Sequence, residues 1–343
     1  MQKKEKLYYL DNARGIAICF VVLGHVDGGD HPLNIWISTF LLPMFLIISG
    51  VLLRYHDLWK SEKTSTVIWN RTKRLLIPYF EYSGLFIVYG LFMRIVFREG
   101  SFSDVFETIK TTVFLQGAGA LWFLPTLLFA EIVVILLAKH ENKLKLRFAV
   151  MVMTSFAGLY FLKDNEADYY DWWYYTGIKI VKTIISAVFI LIGYSYYQHK
   201  EFIFRKLGKA KIWLSAAVLI ANMFLAQLSP HWIDLNFCDI SYLSLYYFLA
   251  TGSTVSLLIL LEVTKLRSVP LEFLGKGSLI IMGTHSTLPI LETIQNLYLK
   301  LPFPNLRYLD DIIITALIIG IETVIILVVN YFKRQYIQAD KRK

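Results

Sequence analysis

Apolar residues run along this chain in long blocks separated by short polar connections. A helix rises about 1.5 Å per residue, so about 20 apolar residues cross a hydrocarbon core roughly 30 Å thick. Ten blocks meet or approach that length, near residues 8–28, 34–54, 76–97, 119–138, 147–163, 176–197, 211–229, 241–264, 278–298 and 311–332, the fifth and seventh being the weakest. The pattern predicts an all-α polytopic membrane bundle of about ten transmembrane helices. One helical bundle is the natural unit, so residues 1–343 are expected to form a single domain.

Composition agrees: 56% of the 343 residues are hydrophobic and 18% charged, against about 45–50% and 25% in an average soluble domain. The net charge of +9 would suit nucleic acid, but the basic residues sit in short connections, as orientation signals do, and nucleic acid is discarded. With the N-terminus inside, inner connections and tails hold 26 of the 35 Lys and Arg, outer connections six, and the blocks three. Both termini are therefore expected in the cytoplasm. Met1 to Leu10 has the lysines of a signal peptide, yet no small-residue cleavage site follows, so the first block is read as a retained span. Cys19 lies inside that block and Cys238 in an outer connection, which argues against a disulfide framework. The outer connection Asp164 to Tyr175 gathers Tyr169, Tyr170, Trp172, Trp173, Tyr174 and Tyr175, either an aromatic belt or a stacking platform for a sugar. The stretch Glu99 to Ala120 suits an outer loop with a short interfacial helix.

Ionisable groups inside a bilayer are costly, so each one is a functional candidate. They are Arg14, His25, Glu131, Lys179, Lys182, His285, Glu292 and Glu322. Arg14 and His25 are eleven positions apart, three turns plus roughly 20°, so both project from one face, about 16 Å apart along the axis. Asp11, one turn before Arg14, is placed to orient it. In a plainer reading Arg14 snorkels to the inner surface and His25 caps the outer helix end; the shared face weighs against it. His285 and Glu292 fall on nearly one face of the ninth block, where a carboxylate would control the imidazole, although both also suit packing. Glu131 must find a partner or take up a proton, and Arg14 is a plausible partner. Lys179 and Lys182, near the outer end of the sixth block, are expected to snorkel. Just before the third block, RTKRLLIP sets Arg71, Lys73 and Arg74 at the inner face. They are either an orientation signal or a phosphate clamp, since arginine forks pair with phosphate oxygens bidentately. No Walker loop, dinucleotide fingerprint or His-Glu-x-x-His occurs, and no metal is expected.

Five stretches, in order along the chain, resemble the membrane acyltransferase-3 family, in particular its fucose 4-O-acetylase-like branch. They are LDNARGIAICFVVLGH (Leu10 to His25) with its Arg-x10-His spacing, LLPMFLIISG (Leu41 to Gly50), RTKRLLIPYF (Arg71 to Phe80), LWFLPTLLFAE (Leu121 to Glu131) and GKGSLIIMGTH (Gly275 to His285). The resemblance implies transfer of an acyl group, usually acetyl, from cytoplasmic acyl-CoA to a hydroxyl of a cell-surface glycan or lipid-linked saccharide. The expected location is a bacterial cytoplasmic membrane, with acetyl-CoA as cosubstrate. By position, Arg14 and His25 match the family's essential pair, Arg71 and Arg74 its Arg-x-x-Arg motif, and His285 a recurrent histidine of the branch. The expected catalytic set is thus His25 as general base with Arg14, Glu131 and His285. Arg14, Arg71, Lys73 and Arg74 are the expected acyl-CoA ligands, and Trp122 is expected on the acceptor side. Ser49 and Gly50 suit close helix contact rather than chemistry. The competing class is a transporter or flippase, which also needs intramembrane charge but predicts movement without covalent change; a noncatalytic sensor would leave the histidines unexplained.

Overall fold

Within lipid every backbone N–H and C=O needs an internal partner, and a helix supplies it inside one segment. The computed structural model describes residues 7–27, 29, 31–57, 62–98, 100–139, 143–165, 171–286, 288–301 and 308–340. Among the described residues there is no strand, only one isolated bridge, between Asp234 and Asp239. The helices are α1 (Tyr8–Asp27), α2 (Pro32–Ser38), α3 (Leu41–His56), α4 (Thr64–Phe92), α5 (Phe102–Val113), α6 (Phe123–Ala138), α7 (Leu144–Asp164), α8 (Trp172–Leu207), α9 (Lys211–Leu225), α10 (Leu243–Val263), α11 (Val269–Thr284), α12 (Ile290–Tyr298) and α13 (Tyr308–Asp340). Among the described residues seven stretches are long and apolar enough to cross a membrane; one of them, Trp172–Leu228, contains both α8 and α9. The chain is a multi-pass membrane protein.

Several expected blocks shift. The second divides into α2 and α3 at Thr39–Phe40. The third begins at Thr64, twelve residues early, so Arg71, Lys73 and Arg74 stand inside α4 rather than in a connection. The ninth is broken: α11 ends at Thr284, and His285 to Pro289 separate it from α12. Pro289 supplies a reason, because it has no N–H and its ring would strike the carbonyl four residues back. The loop expected over Glu99 to Ala120 does contain a short helix, α5, opened by a capping box between Ser101 and Asp104.

Close packing holds the buried helices. A methyl group at Gly50 would overlap the Ile190 carbonyl and one at Gly193 the Ile47 carbonyl, so α3 and α8 touch backbone to backbone. The same holds for α1 and α11, where Gly15 lies against Leu271 and Gly275 against Asp11. In membranes small residues permit this approach, and dispersion over the contact replaces the hydrophobic drive that lipid does not supply. The outer shell of α4, α7, α9 and α13 instead turns Trp69, Phe156, Phe224 and Val324 outward.

Candidate active site

The outer end of α1 carries His25, and the end of α11 carries His285 as its C-cap. Each ring is tied to its own helix. His25 Nδ1 lies 2.7 Å from the Val21 carbonyl and His285 Nδ1 2.6 Å from the Ile281 carbonyl. A carbonyl only accepts, so each Nδ1 carries a hydrogen, and in a neutral ring Nε2 keeps its lone pair. The rings meet edge to face with centroids 5.0 Å apart. His285 is fully buried and its Nε2 has no hydrogen-bond partner among the described residues, whereas His25 is exposed into a cavity of about 1480 Å³. Glu292 is not the neighbour of His285 that helical spacing suggested. The break at Pro289 carries it onto α12, where it is exposed.

The cavity lies between α1, α5, the turn before α6, the start of α8 and the loop Ser229–Tyr242. That loop contributes residues that sequence reasoning missed: Trp232, Asp234 and Asn236. The Trp232 indole occupies the place a Cβ at Gly24 would need, so glycine beside His25 lets the ring seat against α1. Lys182 does not snorkel as expected. It is 3% exposed, donates to the Asn236 Oδ1 at 2.8 Å and carbonyl at 3.3 Å, and sits 4.7 Å from the centre of the Trp122 ring. Lys179 donates to the Phe114 carbonyl at 2.7 Å. Burial raises the Asp234 carboxyl above the usual carboxylate range, opposed by backbone N–H donors and Lys182. Burial likewise pushes the Cys238 thiol up to about 12, which keeps it protonated and unsuited to nucleophilic attack. Trp122 lines the cavity. Tyr169 and Tyr170 lie outside the described residues; Trp172 and Tyr175 line the cavity.

On the half that the charge pattern assigns to the cytoplasm, the inner half, stands a second, charged group. Glu131 is buried in α6, accepts from the Ser49 hydroxyl and lies 3.6 Å from Arg71. Its counter-ion is therefore Arg71, with Arg14 at longer range. Arg14 pairs with Asp11 at 3.7 Å, the i, i+3 contact the sequence indicates. Ser49 does more than permit packing, since it satisfies one oxygen of the carboxylate; the other, Oε2, is buried with no hydrogen-bond partner among the described residues. Arg74, one turn on from Arg71, is exposed and forms no ion pair among the described residues. Arg14, Arg71 and Arg74 are close enough to interact through space. Lys73 leaves this group: it points about 200° round the helix from Arg71 and covers the exposed Trp69 ring at 5.6 Å.

Residues 7–331 match the family model for an acyltransferase domain. No curated protein and no solved structure matches the chain.

Proposed function

The chain belongs to the membrane acyltransferase-3 family and is a membrane acyltransferase, and from that premise we propose that it transfers an acyl group, acetyl first of all, from cytoplasmic acyl-CoA to a saccharide hydroxyl. The acceptor is a cell-surface or lipid-linked glycan, as in the fucose 4-O-acetylase-like branch the chain resembles, and the membrane is the bacterial cytoplasmic one. His25 is the general base.

The observation that carries this reading is the state of the His25 ring. With Nδ1–H held by the Val21 carbonyl, the neutral ring has its Nε2 lone pair available, and the side chain is open to the cavity. A general base must be fixed in tautomer and open to the proton it takes. The acceptor oxygen attacks the thioester carbonyl carbon while its proton passes to Nε2. The C–S bond then breaks, and the departing thiolate takes the proton to become the free thiol. His285 closes the buried side of the base, its ring edge-on at 5.0 Å.

For the donor, the basic face of α4 supports phosphate binding. Of the three arginines, Arg74 has no ion pair to break among the described residues, and Arg71 is held in place by Glu131. Arg14, half-buried one helix away on the His25 face, guards the path between them. Lys73, facing the other way, helps through charge alone.

Membranes holding the protein, given labelled acetyl-CoA and cell-surface glycans, should label a glycan, and His25→Ala should abolish the labelling. Undiminished transfer in His25→Ala removes the base assignment.

A further inference from the structure

The charge of the cavity over His25 discriminates among saccharides, and we infer that the acceptor segment seated there is uncharged: neutral sugar residues without uronate or phosphate groups. This rests on the reading of the cavity as the acceptor site.

The ionisable side chains of the walls, besides the histidines, are the carboxylates Asp104, Glu107, Asp234 and Asp239 against the ammonium groups Lys110 and Lys179. Both cations are committed to protein partners. Lys110 lies 3.2 Å from Glu107, and Lys179 donates to the Phe114 carbonyl. Lys182, behind the wall, is spent on Asn236 and on the Trp122 face. His231, on the loop, has both ring nitrogens occupied, Nδ1 at the Trp232 carbonyl and Nε2 at the Ser241 hydroxyl, with Asp239 at 3.7 Å.

An anionic sugar entering this space meets a surplus of like charge and, among the described residues, no cation it can pair with without breaking an existing contact. Specificity of this kind comes from repulsion of the wrong ligand as much as from attraction of the right one. At a few ångströms' separation in a partly desolvated cavity such repulsion is worth roughly tenfold or more in rate.

A neutral saccharide is well served by the same walls. Carboxylate and amide oxygens accept its hydroxyl hydrogens, and the indole faces of Trp172 and Trp232 suit the apolar faces of sugar rings. The volume of about 1480 Å³ exceeds a usual small-molecule pocket, leaving room for more than one sugar residue. The same aromatic and carboxylate lining is unsuited to a phosphate-bearing chain, which would call for arginine forks of the kind found on the inner half.

The test follows the label. Membranes containing the full-length protein and the glycans of the same cells receive acetyl-CoA labelled in the acetyl group. The material whose labelling is lost in His25→Ala is cleaved to di- and trisaccharides and passed over an anion exchanger. The expected result is that the label passes through unretained. Label retained on the exchanger, as acetylated uronate- or phosphate-bearing fragments, overturns the proposal while leaving acyl transfer intact. Absence of any His25-dependent label removes the acyl-transfer reading itself, and this proposal with it.

Discussion

The two halves of the site are held by opposite means. On the inner half, charge is confined by charge: Arg71 against Glu131, Arg14 against Asp11, with Ser49 closing the carboxylate. On the outer half, two imidazoles are held by the carbonyls of their own helices and by each other, and one opens onto a wide cavity. The inner group resists disturbance because removing one partner strands a buried charge. The outer group keeps a lone pair available because its restraint comes from backbone. The contrast separates residues whose loss costs the fold from residues whose loss costs the reaction.

The largest effect is expected at His25. His25→Ala should lower acyl transfer by about 100- to 10,000-fold, the usual contribution of a positioned base. The melting temperature in detergent should not move, because the ring faces the cavity. A fall in melting temperature in parallel with activity would place His25 with the structural group instead. Glu131→Ala should do the reverse, costing about 3–5 kcal/mol by stranding Arg71. It would be read as lower yield and a lower melting temperature, and Glu131→Gln, which still accepts from Ser49, should lose less. If the two variants melt alike, the Ser49 bond carries no weight; if Glu131→Gln melts like the wild type, the Arg71 pairing carries none.

His285→Ala should reduce the turnover rate roughly tenfold by loosening the base, with the acyl-CoA requirement unchanged. A change confined to the acyl-CoA requirement would move His285 to the donor side. For Arg74→Ala we expect the acyl-CoA concentration for half-maximal rate to rise about three- to tenfold, since an exposed arginine contributes one charge-assisted contact among several. No change there would leave the arginine as an orientation signal alone. Smallest should be Lys182→Met, raising the acceptor requirement about threefold through loss of its hold on Trp122 and Asn236. Lys182→Arg should recover part of it, and the acyl-CoA dependence should stay fixed. Equal shifts for both substrates would mean a general loss of packing.

Much of the inner half was legible in the sequence because it is local. The shared face of Arg14 and His25 and the Asp11 contact follow from helical period within one element, whereas the apolar pattern puts Arg71 and Arg74 in a connection, and they share a face only because α4 begins at Thr64. What the period does not carry is which helices meet. Glu131 pairs with Arg71 of α4, and His25 meets His285 of α11, through packing set by distant glycines. Lys73 was grouped with its neighbours by adjacency, although its angle about the helix axis separates it. The break after Thr284 had a visible signal in Pro289, overridden by the apolar run on either side. The cavity loop with Trp232, Asp234 and Asn236 has no period to read; its one cue was a mix of aromatic and polar residues in an outer connection.

The helices that bear the two histidines cross where Gly15 of α1 and Gly275 of α11 lie against the facing backbone. From Gly15 to His25, and from Gly275 to His285, is ten residues in each case, an arm of about 15 Å. The crossing therefore acts as a fulcrum for two parallel levers of equal length. A tilt of roughly 4° at the glycines swings a ring by about 1 Å at the far end, and a misplacement of that size can cost about 100-fold in rate. The tolerance of the outer chemistry is thus set on the opposite half of the bundle, by two residues with no side chain at all.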